Sequence, residues 1–304
     1  MNNFIFENKT KVYFGKGGVK EYLGGLLANF GETVMLAYGG GSIKRNGVYD
    51  EIMGILNAAG KRIVEFSGIM SNPTYAKVQE GAKLARENHV DLILAVGGGS
   101  VSDCCKVISG AFDTLSHAME TYFGKPDENN LSDDINEAAM RSIIRNSRIL
   151  LTDPENYDAR SELAWASAMA ENGVLKIGKV TDFQAHQIEH QLGAYTNCNH
   201  GAGLAVIHPV LYRHIYKSGT ARFTRWAQNV WGIAPKGSDE ETAAAGIDAL
   251  AAFIKEIGLP TSFADLGIPA DTDFRAIADS TNVTAGCCKK LTHDEIYEIL
   301  QECL

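Results

Sequence analysis

Two pairs of residues carry the chemistry that can be read from this chain. Asp113 and His117 lie four positions apart in a segment with helical periodicity, and His186 and His190 lie four apart in another. That spacing puts both side chains of a pair on one helix face, roughly 6 Å apart at Cβ, where they can grip one ion. His200 follows in a polar, glycine-rich turn, Asn197-Cys-Asn-His-Gly-Ala-Gly203. A single such pair is more often a surface or capping feature. Carboxylate and imidazoles converging from several segments are harder to attribute to accident. One carboxylate with imidazoles and no thiolate suits Fe(II), Zn(II) or a similar ion better than Mg(II). Glu120 falls on the face of Asp113 and His117, either as a support behind the ligands or as a solvated charge.

Two glycine-rich turns form a second set, Gly39-Gly40-Gly41-Ser42 and Gly97-Gly98-Gly99-Ser100. Each follows an apolar strand and precedes a helix, so the backbone can approach a phosphate at a helix N-terminus. Two such turns at strand ends point to a dinucleotide, although neither fits the G-x-G-x-x-G fingerprint. No acidic residue sits directly at the end of the first strand, and Ser42, Lys44 and Arg45 lie nearby. This favours NADP(H) over NAD(H), the alternative being a solvated helix start.

These residues need a scaffold. Val34–Tyr38, Arg62–Phe66 and Asp91–Val96 read as strands, the last of them buried. Val48–Ala59 and Thr74–Asn88 read as helices, the second opened by Asn72-Pro73. This alternation means a parallel α/β sheet. From Ile108 onward the strand signals stop. Ile108, Phe112, Leu115, Met119 and Tyr122 form an apolar stripe ended by Gly124 and Pro126. Thr292-His-Asp-Glu295 is a capping box before a last helix over Ile296–Leu304. The expected organisation is an α/β dinucleotide-binding domain over 1–108 and an all-helical metal and substrate domain over 109–304.

Composition restricts the function. The 304 residues suffice for two domains, and the net charge of −9 argues against nucleic acid or anionic membrane as a partner. No apolar run is long enough to cross a bilayer, and the N-terminus does not read as a signal peptide. The six cysteines, Cys104, Cys105, Cys198, Cys287, Cys288 and Cys303, fit neither a disulfide framework nor a zinc ribbon. Reduced thiols in a cytoplasmic protein are expected.

Taken together, Gly110-Ala-Phe-Asp-Thr-Leu-Ser-His-Ala-Met-Glu120 and His186-Gln-Ile-Glu-His-Gln-Leu-Gly-Ala-Tyr-Thr-Asn-Cys-Asn-His200-Gly resemble the ligand-bearing segments of the iron-containing (group III) alcohol dehydrogenase family. Tyr38-Gly-Gly-Gly-Ser42 is similar to its butanol dehydrogenase branch. The resemblance implies the dehydroquinate synthase-like, iron-containing alcohol dehydrogenase fold. It implies Asp113, His117, His186 and His200 as metal ligands, and His190 as a non-ligand histidine beside the substrate that relays a proton. Gly40, Gly41, Ser42, Asn72, Gly97, Gly98, Gly99, Ser100 and Asp103 match the cofactor-binding turns. The implied reaction interconverts aldehydes and primary alcohols with NAD(P)H, and a homodimer is implied with it.

The chain departs from the family at one place. A long segment, with further strands and turns under the nicotinamide, separates the Gly-Gly-Gly-Ser turn from the Asp/His helix in the family. Here only ten positions separate Asp103 from Asp113. This leaves two other readings open: a relic that binds metal and perhaps nucleotide without turnover, and, less favoured by the ligand set, a dehydroquinate-synthase-like lyase. It also predicts apolar sheet edge or helix face left uncovered.

Overall fold

A computed structural model describes residues 11–69, 75–97, 104–125, 129–284 and 286–304. Of the expected cofactor residues, Asn72, Gly98, Gly99, Ser100 and Asp103 lie outside the described residues, as does Pro126. The chain divides into two compact units, Lys9–Val107 and Ile108–Leu304. No helix among the described residues is long and apolar enough to cross a membrane.

In the first unit the order is α1 (Gly18–Leu27), β1 (Thr33–Tyr38), α2 (Ser42–Arg45), α3 (Val48–Ala58), β2 (Arg62–Phe66), α4 (Tyr75–Glu87) and β3 (Leu92–Val96). The strands form a parallel sheet in the order β2-β1-β3. Every residue of β1 is buried. Its Val34, Leu36 and Tyr38 join Leu27, Ile43, Ile52 and Leu56 on one face, and Met35 and Ala37 meet Phe66 on the other. A strand buried on both faces is apolar throughout, which is why β1 is legible as a short continuous run.

β3 corrects the expectation of burial. Its residues alternate between partly buried and exposed, and Ile93 is 59% exposed. It is an edge strand among the described residues, with β1 its partner on one side only. The run Leu-Ile-Leu-Ala-Val is composed for a covered strand. An apolar edge left open is the kind of surface the short link after Asp103 predicts.

The second unit contains α5 (Cys104–Tyr122), α6 (Leu131–Thr152), α7 (Tyr157–Glu171), a 3₁₀ turn (Val174–Lys176), α8 (Gln184–Thr196), α9 (His200–Ile215), α10 (Thr220–Asn229), α11 (Asp239–Glu256), α12 (Phe274–Ser280) and α13 (His293–Glu302). The stripe on α5 is core: Phe112, Leu115, Met119 and Tyr122 are at most 1% exposed. α5 ends before Gly124, whose absent side chain admits the Val180 carbonyl, 2.5 Å from where a Cβ would stand. Lys125 then pairs with Val180 in an antiparallel bridge. Behind α5, Phe123, Tyr212, Phe223 and Trp226 form an aromatic core, with Phe123 stacked on Phe223 at 4.1 Å.

The capping box at Thr292 and Glu295 is formed as expected. The last helix begins directly after Thr292, at His293 rather than Ile296, because the N-cap residue immediately precedes the first helical residue.

Candidate metal centre

Three helices of the second unit bring the singled-out residues together. α5 presents Asp113, His117 and Glu120 from successive turns of one face. α8 presents His186 from its first turn. His200 is the first residue of α9, set there by Asn197, which ends α8 in a left-handed conformation (φ 55°), and by Asn199, whose side chain accepts the Ala202 N–H.

The donor atoms converge. Asp113 Oδ1 lies 3.5 Å from His186 Nε2, 3.5 Å from His200 Nε2 and 3.6 Å from His117 Nε2. His186 Nε2 and His117 Nε2 are 3.0 Å apart. A tetrahedral ion about 2.0–2.2 Å from each donor spaces the donors roughly 3.3–3.6 Å apart. Three of these four edges have that length, which is too long for good hydrogen bonds. Asp113 Oδ1 is buried and has no hydrogen-bond partner among the described residues. A carboxylate oxygen facing three imidazole nitrogens without bonding any of them fits a cation.

Behind each imidazole stands a carboxylate. His186 Nδ1 bonds Glu120 Oε2 and His200 Nδ1 bonds Glu189 Oε2, each in a short contact. Glu171 Oε1 is 2.8 Å from His117 Nδ1, at ion-pair distance but outside hydrogen-bond geometry. A proton held at Nδ1 by a carboxylate leaves Nε2 as the ligating lone pair, the usual support of metal-bound histidine.

Glu120 does more than orient His186. It is fully buried, and it also accepts the Ala185 N–H at 2.6 Å and the His186 N–H at 3.3 Å. The residue preceding α8, Phe183, has a left-handed backbone (φ 56°) and offers no side-chain cap. Glu120 therefore caps α8 from a neighbouring helix. Glu189 is 2% exposed, and Gly203 leaves it room: a Cβ there would stand 2.9 Å from Glu189 Cγ. This explains one glycine of the expected turn, which from His200 onward is the start of α9 instead.

The electrostatics follow from the same contacts. Burial opposes ionising Asp113, but the facing His186 and His200 outweigh it and hold the carboxyl well below its usual range. Burial likewise disfavours charge on His186 and His200, yet Asp113 with Glu120, and Asp113 with Glu189, raise them to about 9 and about 10. Glu120 is held low by His186 against the effect of burial. Asp182 is pushed well above the usual range by burial and by Glu120.

His190 is solvent-exposed, its ring stacked on His200 at 5.5 Å and 5.9 Å from the ring of His186. It is beside the cluster rather than in the set facing Asp113. Partial desolvation, then the charges of His200 and His186, lower its pKa.

Of the cofactor residues, Gly40 and Gly41 lie between β1 and α2, Ser42 opens α2, and Gly97 follows β3. A contact not singled out in the sequence is Glu65. It accepts from Tyr38 Oη at 2.6 Å and Tyr49 Oη at 2.7 Å, and lies 3.8 Å from Lys44 Nζ. Lys44 Nζ also sits 4.5 Å from the Tyr49 ring centroid. Glu171 and Glu189 were equally unmarked. A glutamate three positions after His186 on α8 was a signal available for Glu189; Glu171, 54 positions from His117 in another helix, offered none.

Comparison with known proteins gives the family. Residues 107–304 match the Fe-containing alcohol dehydrogenase family, C-terminal, and residues 9–139 match iron-containing alcohol dehydrogenase. The chain belongs to the iron-containing alcohol dehydrogenase family. It is 30% identical to the probable NADH-dependent butanol dehydrogenase 1 of Bacillus subtilis, with all of both chains covered. It is 29% identical to the NADH-dependent butanol dehydrogenase B of Clostridium acetobutylicum, covering 99% of this chain and 98% of that one. The crystal structure of NADH-dependent butanol dehydrogenase A from Thermotoga maritima superposes with a TM-score of 0.91 at 26% identity, covering 100% of this chain and 99% of that one. The Bacillus match runs over 389 positions against 304 residues here, which leaves at least 85 of those positions without a counterpart.

Proposed function

We propose that this chain is a metal-dependent NAD(P)H-linked aldehyde reductase and alcohol dehydrogenase acting on small primary alcohols and aldehydes of the butanol type. The observation that carries the reading is the convergence of Asp113 with three imidazole Nε2 atoms, each imidazole backed by a carboxylate. Relatives named butanol dehydrogenases and an Escherichia coli NADPH-dependent aldehyde reductase, 27% identical over 88% of this chain, support the substrate class.

Asp113, His117, His186 and His200 would hold one divalent ion, Fe(II) or Zn(II). When bound, the ion supplies a Lewis acid for a carbonyl oxygen and NAD(P)H supplies hydride. Glu120 and Glu189 hold the Nδ1 protons of His186 and His200 and so aim both Nε2 atoms at Asp113. His190, uncharged at neutral pH and open to solvent, moves the alcohol proton. Gly40, Gly41, Ser42, Asn72, Gly97, Gly98, Gly99, Ser100 and Asp103 bind the adenosine and pyrophosphate half of the cofactor. Exposed Lys44 and Arg45 favour the 2′-phosphate of NADP(H), with Glu65 offsetting part of the Lys44 charge.

The positions missing relative to the family are those expected beneath the nicotinamide. Misplacing the reacting atoms by about 1 Å costs on the order of 10²-fold. Turnover is therefore expected to be far slower than in an intact relative. The test is oxidation of NADPH with butyraldehyde, with and without added Fe(II) or Zn(II). Metal-stimulated, aldehyde-dependent oxidation supports the reading. A fully metal-loaded chain with no aldehyde-dependent oxidation would leave only the relic.

A further inference from the structure

The three imidazoles are not held alike. Glu120 and Glu189, behind His186 and His200, are at most 2% exposed and hydrogen-bonded to Nδ1. Glu171, behind His117, is 50% exposed, and its 2.8 Å contact is off the hydrogen-bond line. It comes from the last residue of α7, outside the three helices that carry the ligands.

The donor positions show the same asymmetry. Asp113, His186 and His200 offer donor atoms that all lie within 4.8 Å of one another. His117 Nε2 is 3.6 Å from Asp113 Oδ1 and 3.0 Å from His186 Nε2. A tetrahedral ion keeps its donors roughly 3.3–3.6 Å apart, so the edge between His117 and His186 is too short. With His186 held by the buried Glu120, His117 is the ligand that draws back to share one ion with the other three.

The surroundings of His117 are partly open, its side chain 18% and that of Glu171 50% exposed. The Phe183 ring meets it edge-on at 5.3 Å, from a backbone held at φ 56°, a conformation a bulky residue rarely adopts. Lys176 Nζ lies 5.0 Å from the Phe183 ring centroid, and its charge helps lower the Glu171 pKa, after His117 itself. Glu171, Lys176 and Phe183 thus form a partly exposed clasp against this one imidazole.

The geometry points to a metal centre built as a fixed triad, Asp113, His186 and His200, plus one yielding arm, His117, for which Glu171 is the positioning residue. This inference rests on the metal reading above and deepens it. Removing the clasp loosens one ligand, whereas removing a triad member removes the site. Outer carboxylates of this kind typically contribute 10–100-fold to metal affinity; the half-exposed one belongs at the low end.

The experiment uses the full chain loaded with Co(II), read by its visible d–d absorption and by the rate of Co(II) transfer to a chelator. Glu171→Ala is expected to keep one Co(II) per chain at saturating metal and to release it about tenfold faster. Glu171→Gln, which keeps an acceptor beside Nδ1, is expected to recover most of the slow release. His117→Ala is expected to retain Co(II) with an altered spectrum, and His186→Ala to retain none. Unchanged release from Glu171→Ala, or a His117→Ala chain as empty as His186→Ala, would overturn the inference while leaving the metal reading intact. A wild-type chain that takes up no Co(II) would overturn both. Thermal unfolding of each variant distinguishes loss of the arm from loss of the fold, and an exposed Glu171 predicts little change there.

Discussion

Glu120→Gln is the substitution on which the structure makes its most specific demand. The carboxylate accepts on both oxygens: Oε1 from the Ala185 N–H, and Oε2 from the His186 N–H and Nδ1. Glutamine matches its shape but has only one acceptor. Its NH₂ must face either Ala185 or His186, leaving at least one buried donor unsatisfied, at about 1–3 kcal/mol. The negative charge at the N-terminus of α8 is also lost, which adds about 1 kcal/mol at a buried helix end. The helical unit should lose roughly 2–4 kcal/mol, or about 5–15 °C in Tm. His186 loses its orienting charge, so metal affinity should fall about 10–100-fold. Urea denaturation followed by helix circular dichroism reads the first effect, and competition with a chromophoric chelator reads the second. A Gln variant within 0.5 kcal/mol of wild type and with unchanged metal affinity would refute the double role given to Glu120.

Other expectations follow from buried charge. His208 is fully buried, bonded to Ser116 Oγ at 2.6 Å, and burial pushes its pKa down to about 4. Its folded-state pKa lies below the unfolded value near 6.5, so this stability is complete above pH 6.5 and is lost as pH falls towards 4, by about 3 kcal/mol. His208→Gln should flatten the stability profile across that window, and an unchanged slope would contradict the assignment. Asp133, fully buried, pairs with the fully buried Lys179 and, at 2.8 Å, with Arg222. Asp133→Ala takes a buried carboxylate away from two buried cations and should cost about 3–5 kcal/mol in denaturation, and a loss under 1 kcal/mol would sink that view. Dissociation constants measured for both nucleotides should show NADPH bound more tightly than NADH, and the reverse order would remove the role given to Lys44 and Arg45.

The legible parts of this chain were those with a local signature. β1 is a continuous apolar run because both its faces are covered, and α5 shows a stripe because one face is core. The Asp113/His117 spacing marked a candidate metal site because helix geometry fixes i,i+4 neighbours, and the polar segment around His200 added a third candidate. His186 and His190 had the same spacing, yet only His186 faces Asp113. Spacing alone cannot choose between them: the choice depends on how α8 is set against α5, and Glu120 helps to set it. Glu171 was invisible because its partner lies on a different helix far along the chain. β3 misled because its composition suits a strand with neighbours on both sides, and the described chain supplies one. Glu65 was passed over because its charge is tied to two tyrosines distant in sequence, Tyr38 on β1 and Tyr49 on α3, which only the folded chain brings together.

Metal stoichiometry measured on purified protein by mass spectrometry tests the central claim most directly. One Fe(II) or Zn(II) per chain is expected for the wild type, and none for His186→Ala or His200→Ala. Stoichiometric metal retained in both variants would contradict the site built here from Asp113 and its three histidines.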